Sequence, residues 1–335
     1  MQILEKILKR LKWPLGIALP GYIFFQGYKK YKSRPSQVRI LVNPLAGEGE
    51  AKITVKKIRK ALNKRMPESK IDIIFSRTKG DLSTLAKEAV RDECEMVVAV
   101  GGDGAINEVI QGLAGSSVVL GIIPRGTGNV FAQEMKIPNN IDQACKILET
   151  GEIRRVDLGK VSDRYFLWLA GIGVDALVAQ ELTSEAKDKL GIFSYFIFAL
   201  KHLKKIPYTK ININCEGVES NFKSLCLFAG NATSYDGKLN IKSVDSMDDG
   251  YLDVCIAQKV TPLGIIRQIL WFLIGRKTYY RDIQYFDVIY LRAKKLRIQS
   301  EPPVFVHTDG EVIGQTPCEC TIEPSSLSII LPGKV

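Results

Sequence analysis

The stretch VVAVGGDGAINEV, residues 97–109, passes from a run of β-branched and small apolar residues through Gly101-Gly102-Asp103-Gly104 into residues that favour helix. A buried strand that ends in glycines and opens a helix is the repeating unit of a parallel α/β sheet. Glycines there let backbone N–H groups approach a phosphate, and the helix N-terminus favours negative charge. Asp103 would repel such an anion, so it needs another role. It could hold a metal ion through water, accept a proton, or serve as a helix cap.

The flanking sequence repeats the unit. VRILVNP (38–44) reads as a buried strand, and 50–66 as a helix with Ala51, Val55, Ile58, Leu62 and Met66 on one face. KIDIIFS (70–76) is a second strand and 81–92 a second helix. MVVAVG (96–101) leads to a helix over 105–114, and VVLGIIP (118–124) to a helix over 128–135. All four strands end in polar loops that contain glycine: 43–47, 76–81, 101–104 and 124–129. Ligands of such sheets bind beyond the carboxyl ends of the strands.

After about residue 152 the pattern changes. RRVDLGKV, YFLWLAGI, YTKININCEG, KSLCLFAGN, YLDVCIAQ, VIYLRAKKLRIQS and VFVHTDGEVIG read as strands, interrupted by apolar helical runs near 174–205 and 262–274. Strands with turn signals between them predict an antiparallel sandwich. The expected fold is a doubly wound parallel α/β nucleotide-binding domain over 36–152, completed by 325–335. A β-rich, sandwich-like domain over 153–324 follows, with a cleft between the two.

The chain has 335 residues and a formal net charge of +11, a balance open to nucleic acid, phosphate-rich substrates or anionic membrane. Seven scattered cysteines and two histidines lack zinc spacing and do not suggest a disulfide framework. Segment 1–34 carries an uncharged run, WPLGIALPGYIFFQGY (13–28), between lysine- and arginine-rich flanks. Broken by prolines and glycines, it is too short for a confident span. It reads as a membrane-surface anchor, the alternative being a helix packed on the protein itself. The positive charge lies partly beside this run, which argues against nucleic acid as the partner. Gly171-Ile-Gly173-Val-Asp-Ala176 matches a dinucleotide fingerprint but precedes an apolar helix rather than a second βα unit.

Taken together, VNPLAG (42–47), GGDGAINEV (101–109), PRGTGN (124–129), VDLG (156–159), GIGVDA (171–176), DDGYLDV (248–254) and HTDGE (307–311) resemble the diacylglycerol kinase catalytic-domain family. That family includes bacterial lipid kinases and sphingosine kinases. The resemblance spans roughly 38–332. NAD kinases share the GGDG and NE elements, but PRGTGN, DDG and DGE fit lipid kinases better. The resemblance implies an enzyme that moves the γ-phosphoryl group of ATP, with Mg²⁺, to a hydroxyl of a membrane lipid such as diacylglycerol. It implies nucleotide contacts at Asn43, Pro44, Gly47, Gly101, Gly102, Asp103, Gly104, Ala105, Ile106, Asn107 and Thr127, and at Ser76 or Thr78. It implies metal ligands at Ser246, Asp249 and Tyr251, two of them through backbone oxygens, with Asp157 near the catalytic ion.

The general base is either in the pair Asp309 and Glu311, as in bacterial members, or Asp103, as in sphingosine kinases. Val130 departs from a carboxylate found there in many members, and Glu48 from a lysine. The rival readings are a soluble-substrate kinase and a non-catalytic membrane scaffold. The expected place is the cytoplasmic face of a membrane, with a homodimer left open.

Overall fold

The computed structural model describes residues 29–30, 34–44, 51–174, 176–177, 209–231, 234–235, 239–240, 247–259, 278–279 and 287–333. The apolar run 13–28, Gly47, most of the helical run 174–205, the run 262–274 and Ser246 lie outside them. Among the described residues no helix is long and apolar enough to cross a membrane.

The first half alternates as its periodicity predicts: β1 (Gln37–Val42), α1 (Ala51–Arg65), β2 (Lys70–Phe75), α2 (Asp81–Arg91), β3 (Met96–Gly101), α3 (Asp103–Leu113), β4 (Val119–Pro124), a short α4 (Val130–Glu134) and α5 (Ile141–Thr150). β3 and β4 are buried at every residue, as strands covered on both faces must be. Two cores result. One joins α2 and α3 to the sheet through Leu82, Ala86, Val109 and Ile110. The other joins α1 and α5 through Ile58, Leu62, Ala144 and Leu148. Each buried aliphatic side chain of this kind contributes roughly 1.5–3 kcal/mol.

The second half contains β5 (Glu152–Val161), β6 (Arg164–Phe166), β7 (Leu169–Gly173), β8 (Thr209–Cys215), β9 (Val218–Ser224), β10 (Cys226–Gly230), β11 (Leu252–Lys259), β12 (Asp287–Ala293), β13 (Lys295–Glu301), β14 (Phe305–Thr308), β15 (Glu311–Gln315) and β16 (Cys318–Leu331). One sheet runs β9-β8-β13-β16-β4-β3-β1-β2, with β5 also on β16; an antiparallel sheet runs β12-β11-β10-β7-β14-β15. They enclose an apolar layer that includes Phe166, Ile172, Ile213, Leu227, Val254 and Leu296. The architecture is therefore an α/β layer with a mostly parallel sheet, joined to an antiparallel sandwich.

The long strand β16 serves both halves. Its first part pairs antiparallel with β13, and Ser328 and Ile329 pair parallel with Val119 and Leu120 of β4. Its register against β5 shifts between Glu323 and Leu327. Asp157 stabilises that irregularity: its Oδ1 accepts from the Ser325 amide at 2.7 Å and its Oδ2 from the Gly250 amide at 2.7 Å.

Some boundaries differ from the sequence reading. YFLWLAGI is not one strand, because Leu167 and Trp168 interrupt it between β6 and β7. VFVHTDGEVIG is a hairpin, turning at Asp309-Gly310. Helix α5 was not read at all. No disulfide joins the seven cysteines. Burial pushes the Cys145 and Cys255 thiols up to about 12, so they act as small core hydrophobes.

Candidate active site

The four parallel strands end at one edge. Val42 pairs with Phe75 and with Val100, and Gly101 with Pro124, so the loops that follow stand side by side. The order β4-β3-β1-β2 reverses between β1 and β3, which makes their ends the topological switch point where such sheets bind ligands. Asn43 and Gly101 meet there, with the Asn43 amide donating to Val100 O at 3.1 Å. Ser76 is buried and its amide donates to Val42 O at 2.9 Å, while Pro44, Thr78, Gly104 and Thr127 are exposed along the rim.

The two glycine loops touch through their backbones. A Cβ on Gly126 would stand 2.5 Å from Gly102 Cα, and one on Gly102 would stand 3.1 Å from Gly126 Cα. Gly126 has no room for a side chain, and a Cβ on Gly102 would be tight. The contact is fixed by the Arg125 amide donating to Gly101 O at 2.8 Å and by Asn129. Asn129 sits in the left-handed region at φ 46°. Its Oδ1 accepts from the Gly126 amide at 2.8 Å, and its Nδ2 donates to Gly126 O at 2.8 Å. Asp103 completes the join: Oδ2 accepts from the Val130 amide and Oδ1 from the Phe131 amide, each at 3.0 Å. The carboxylate thus caps α4, not its own helix. With each oxygen engaged by an amide, Asp103 is poorly disposed to take a proton from an acceptor.

Ala105, Ile106 and Asn107 are buried in the first turns of α3. Asn107 faces the sandwich. Its Nδ2 donates to Asp309 Oδ2 at 2.9 Å, and its Oδ1 accepts from Arg164 Nη2 at 2.8 Å. Asp309, at φ 48°, forms the tip of the β14–β15 hairpin, and its amide donates to Leu169 O at 2.9 Å. Its carboxylate accepts four hydrogen bonds. Oδ2 takes those of Asn107 and the Leu167 amide, and Oδ1 those of the Trp168 and Leu169 amides. Burial pushes the Asp309 carboxyl above its ordinary value, and these four donors oppose that. A proton on either oxygen would displace a donor, so Asp309 is an anchor for 167–169.

Glu311 is different. Its side chain is 31% exposed, and its two oxygens are met by cations, Lys79 from the first half and Arg164 from the start of β6. It borders an open depression of about 440 Å³ lined also by Ser162, Asp163, Arg164, Ile313 and Gln315. Of the three carboxylates read as candidate bases, only this one faces open space on the sandwich side of the rim.

Of the residues read as metal ligands, Ser246 lies outside the described residues, and the side chains of the others have protein partners. Asp249 Oδ2 accepts from Arg292 Nη2 at 2.6 Å, and Tyr251 lies under Arg292 and Lys294, 4.6 and 5.2 Å from its ring centroid. Positive charge already answers the Asp249 carboxylate. Asp157 is buried on the amides of Gly250 and Ser325. No group of three His, Cys, Asp or Glu side chains suited to a metal occurs among the described residues.

Three participants escaped the sequence reading: Lys79, Arg164 and Gln111. Gln111 Nε2 donates to Tyr165 O at 2.9 Å and its Oε1 accepts from the Tyr165 amide at 3.0 Å. The only available signal was its spacing four residues after Asn107, on the same helix face.

Two family models cover most of the chain. The diacylglycerol kinase catalytic domain matches residues 37–161, and the YegS C-terminal NAD kinase beta sandwich-like domain matches 169–331. A diacylglycerol kinase of Staphylococcus carnosus (strain TM300) is 30% identical over 301 residues, covering 89% of this chain and 96% of the relative. A diacylglycerol kinase of Staphylococcus aureus (strain MRSA252) is 29% identical, covering 89% and 93%. The crystal structure of a candidate diacylglycerol kinase from Bacillus anthracis str. Sterne superposes with a TM-score of 0.75 at 26% identity, covering 91% of this chain and 100% of that one.

Proposed function

This chain belongs to the diacylglycerol kinase family and is a lipid kinase, and on that premise we propose that it transfers the γ-phosphoryl group of ATP to the free hydroxyl of diacylglycerol, giving phosphatidic acid. Mg²⁺ would accompany the nucleotide and offset charge on the triphosphate. Asn43, the amides of the Gly101–Gly104 and Arg125–Gly128 loops, and Thr127 hold the phosphates at the N-terminus of α3, where backbone donors and the helix dipole offset negative charge. Pro44, and Ser76 or Thr78, border the nucleotide from the other two loops.

Glu311 is the general base. The acceptor oxygen attacks the γ-phosphorus in line as the bond to the β–γ bridging oxygen breaks, ADP leaves, and the hydroxyl proton passes to the Glu311 carboxylate. Asp309 holds the hairpin that carries Glu311, and Asp103 holds the two glycine loops together. The reading rests on one observation above all: a partly exposed carboxylate from the sandwich stands against Lys79, in the loop that closes the nucleotide rim. Segment 1–34 would keep the enzyme on the cytoplasmic face of a membrane, beside its lipid.

The test is purified protein with γ-labelled ATP, Mg²⁺ and a panel of lipids in mixed micelles. Label should appear in phosphatidic acid when diacylglycerol is offered. Label confined to the aqueous phase, or better transfer to a sphingoid base or a prenol, would overturn the assignment of the acceptor.

A further inference from the structure

The carboxylate proposed as the base lies at the end of a chain of side chains that begins on the nucleotide-binding helix. Asn107 and Gln111 stand one turn apart on α3, and both address the segment around β6. Gln111 holds the Tyr165 backbone at both its N–H and its C=O. Asn107 holds Arg164 with its oxygen and Asp309 with its nitrogen. Arg164 Nη2 then donates a second hydrogen bond, to Glu311 Oε2.

We propose that Arg164 is a positioning residue: it registers the Glu311 carboxylate against α3, and so against the phosphates at the start of that helix. The inference rests on the reading of Glu311 as the base. Three features of the contact support it. One guanidinium nitrogen serves both partners, so Glu311 cannot move relative to Asn107 without breaking a hydrogen bond. The bond to Glu311 is charge-assisted and directional, unlike a contact with a point charge alone. Arg164 Nε is buried with no hydrogen-bond partner, an arrangement that is destabilising in itself. A residue serving only to fill this space would do so better without a buried orphan donor.

The positioning matters because Glu311 is the first residue after the turn and its side chain is 31% exposed. Released from Arg164, its carboxylate would sample several rotamers into the adjoining depression. Displacing a reacting group by about 1 Å can cost on the order of a hundredfold in rate.

The experiment is a double-mutant cycle on the full chain, with steady-state kinetics for ATP and for the lipid. Arg164→Met should lower kcat about a hundredfold while the KM for ATP changes less than about threefold. Arg164→Lys, which keeps a donor and a charge, should recover part of the loss. In the Glu311→Gln background Arg164→Met should cost little more, because the residue acts through the carboxylate already removed. An additive loss in that background, an unchanged kcat with a raised KM for ATP, or no recovery with lysine would each overturn the proposal. Should Arg164→Met fail to fold, the cycle with Arg164→Lys decides the matter in the same way. A wild-type chain that labels no lipid would instead overturn the functional reading beneath it, and the two failures are thereby distinguished.

Discussion

The nucleotide rim and the hairpin that faces it are built from opposite materials. The rim is backbone: Gly102 and Gly126 lie against each other with no room for a Cβ on Gly126, and the polar side chains around them, Asn129 and Asp103, turn inward to hold the loops. The hairpin presents carboxylates: Asp309 is held by the Leu167, Trp168 and Leu169 amides and by the Asn107 side chain, and Glu311 is met by Arg164 and Lys79. A backbone cradle suits a ligand whose charge is spread over many oxygens. A single carboxylate held by named partners suits the removal of one proton. On the proposed function, binding falls to the rim and chemistry to the hairpin, and substitutions in the two should fail in different ways.

The largest expected effect is on the chemical side. Glu311→Gln removes the proton acceptor and should lower kcat by roughly a thousandfold, with the KM for ATP little changed. Steady-state kinetics separates the two parameters. A KM effect of the same size would place Glu311 in the binding half and dissolve the contrast. On the rim, Gly126→Val forces a side chain into Gly102 and should cost about a hundredfold in activity by displacing the phosphate-binding amides. Gly128→Ala is the control, since a Cβ there meets Val130 Cγ2 at 3.6 Å and Asp103 Oδ2 at 3.7 Å, both ordinary contacts. Equal losses in the two glycine variants would show that the loop apposition is not what matters.

Asp309→Asn sharpens the contrast within the hairpin itself. Asparagine offers one oxygen and turns an NH₂ toward backbone amides that need an acceptor. Because Asp309 accepts from three of them and from Asn107, the substitution should destabilise the fold by about 2–3 kcal/mol. Denaturant unfolding measures this. A loss of activity with stability intact would make Asp309 a participant in the reaction and not an anchor.

The rim was legible in the sequence and the hairpin network was not, for a physical reason. Glycine at 126 is demanded by local crowding and at 102 favoured by it, and strand periodicity places those glycines at strand ends. The α/β layer and the sandwich could therefore be read from pattern alone, apart from α5 and the strand boundaries. YFLWLAGI shows where pattern stops. It is apolar enough for one strand, but the amides of Leu167 and Trp168 leave the ladder to donate to Asp309, 142 and 141 residues away. Arg164 reaches Glu311 from 147 residues away and Lys79 from farther still, and an isolated arginine after a Ser-Asp turn carries no mark of that use. The metal ligands came from resemblance, and at Asp249 the neighbouring Arg292 supplies a positive charge that no local spacing foretold.

The smallest effect is expected at Lys79, and it bears on which of the two cations governs the base. Lys79 and Arg164 both pair with Glu311, but the Lys79 side chain is 78% exposed and that of Arg164 only 31%. An exposed pair is screened by water and salt and contributes little, typically about 0–1 kcal/mol. Arg164 is in addition tied to Asn107, whereas Lys79 reaches Glu311 from an exposed loop. Lys79→Ala should therefore change kcat by no more than about threefold, and the difference from wild type should shrink as ionic strength rises past about 0.15 M. Kinetics at two salt concentrations tests this. A tenfold or larger fall that persists at high salt would mean that the loop beside the nucleotide, and not the sandwich, sets the base in place.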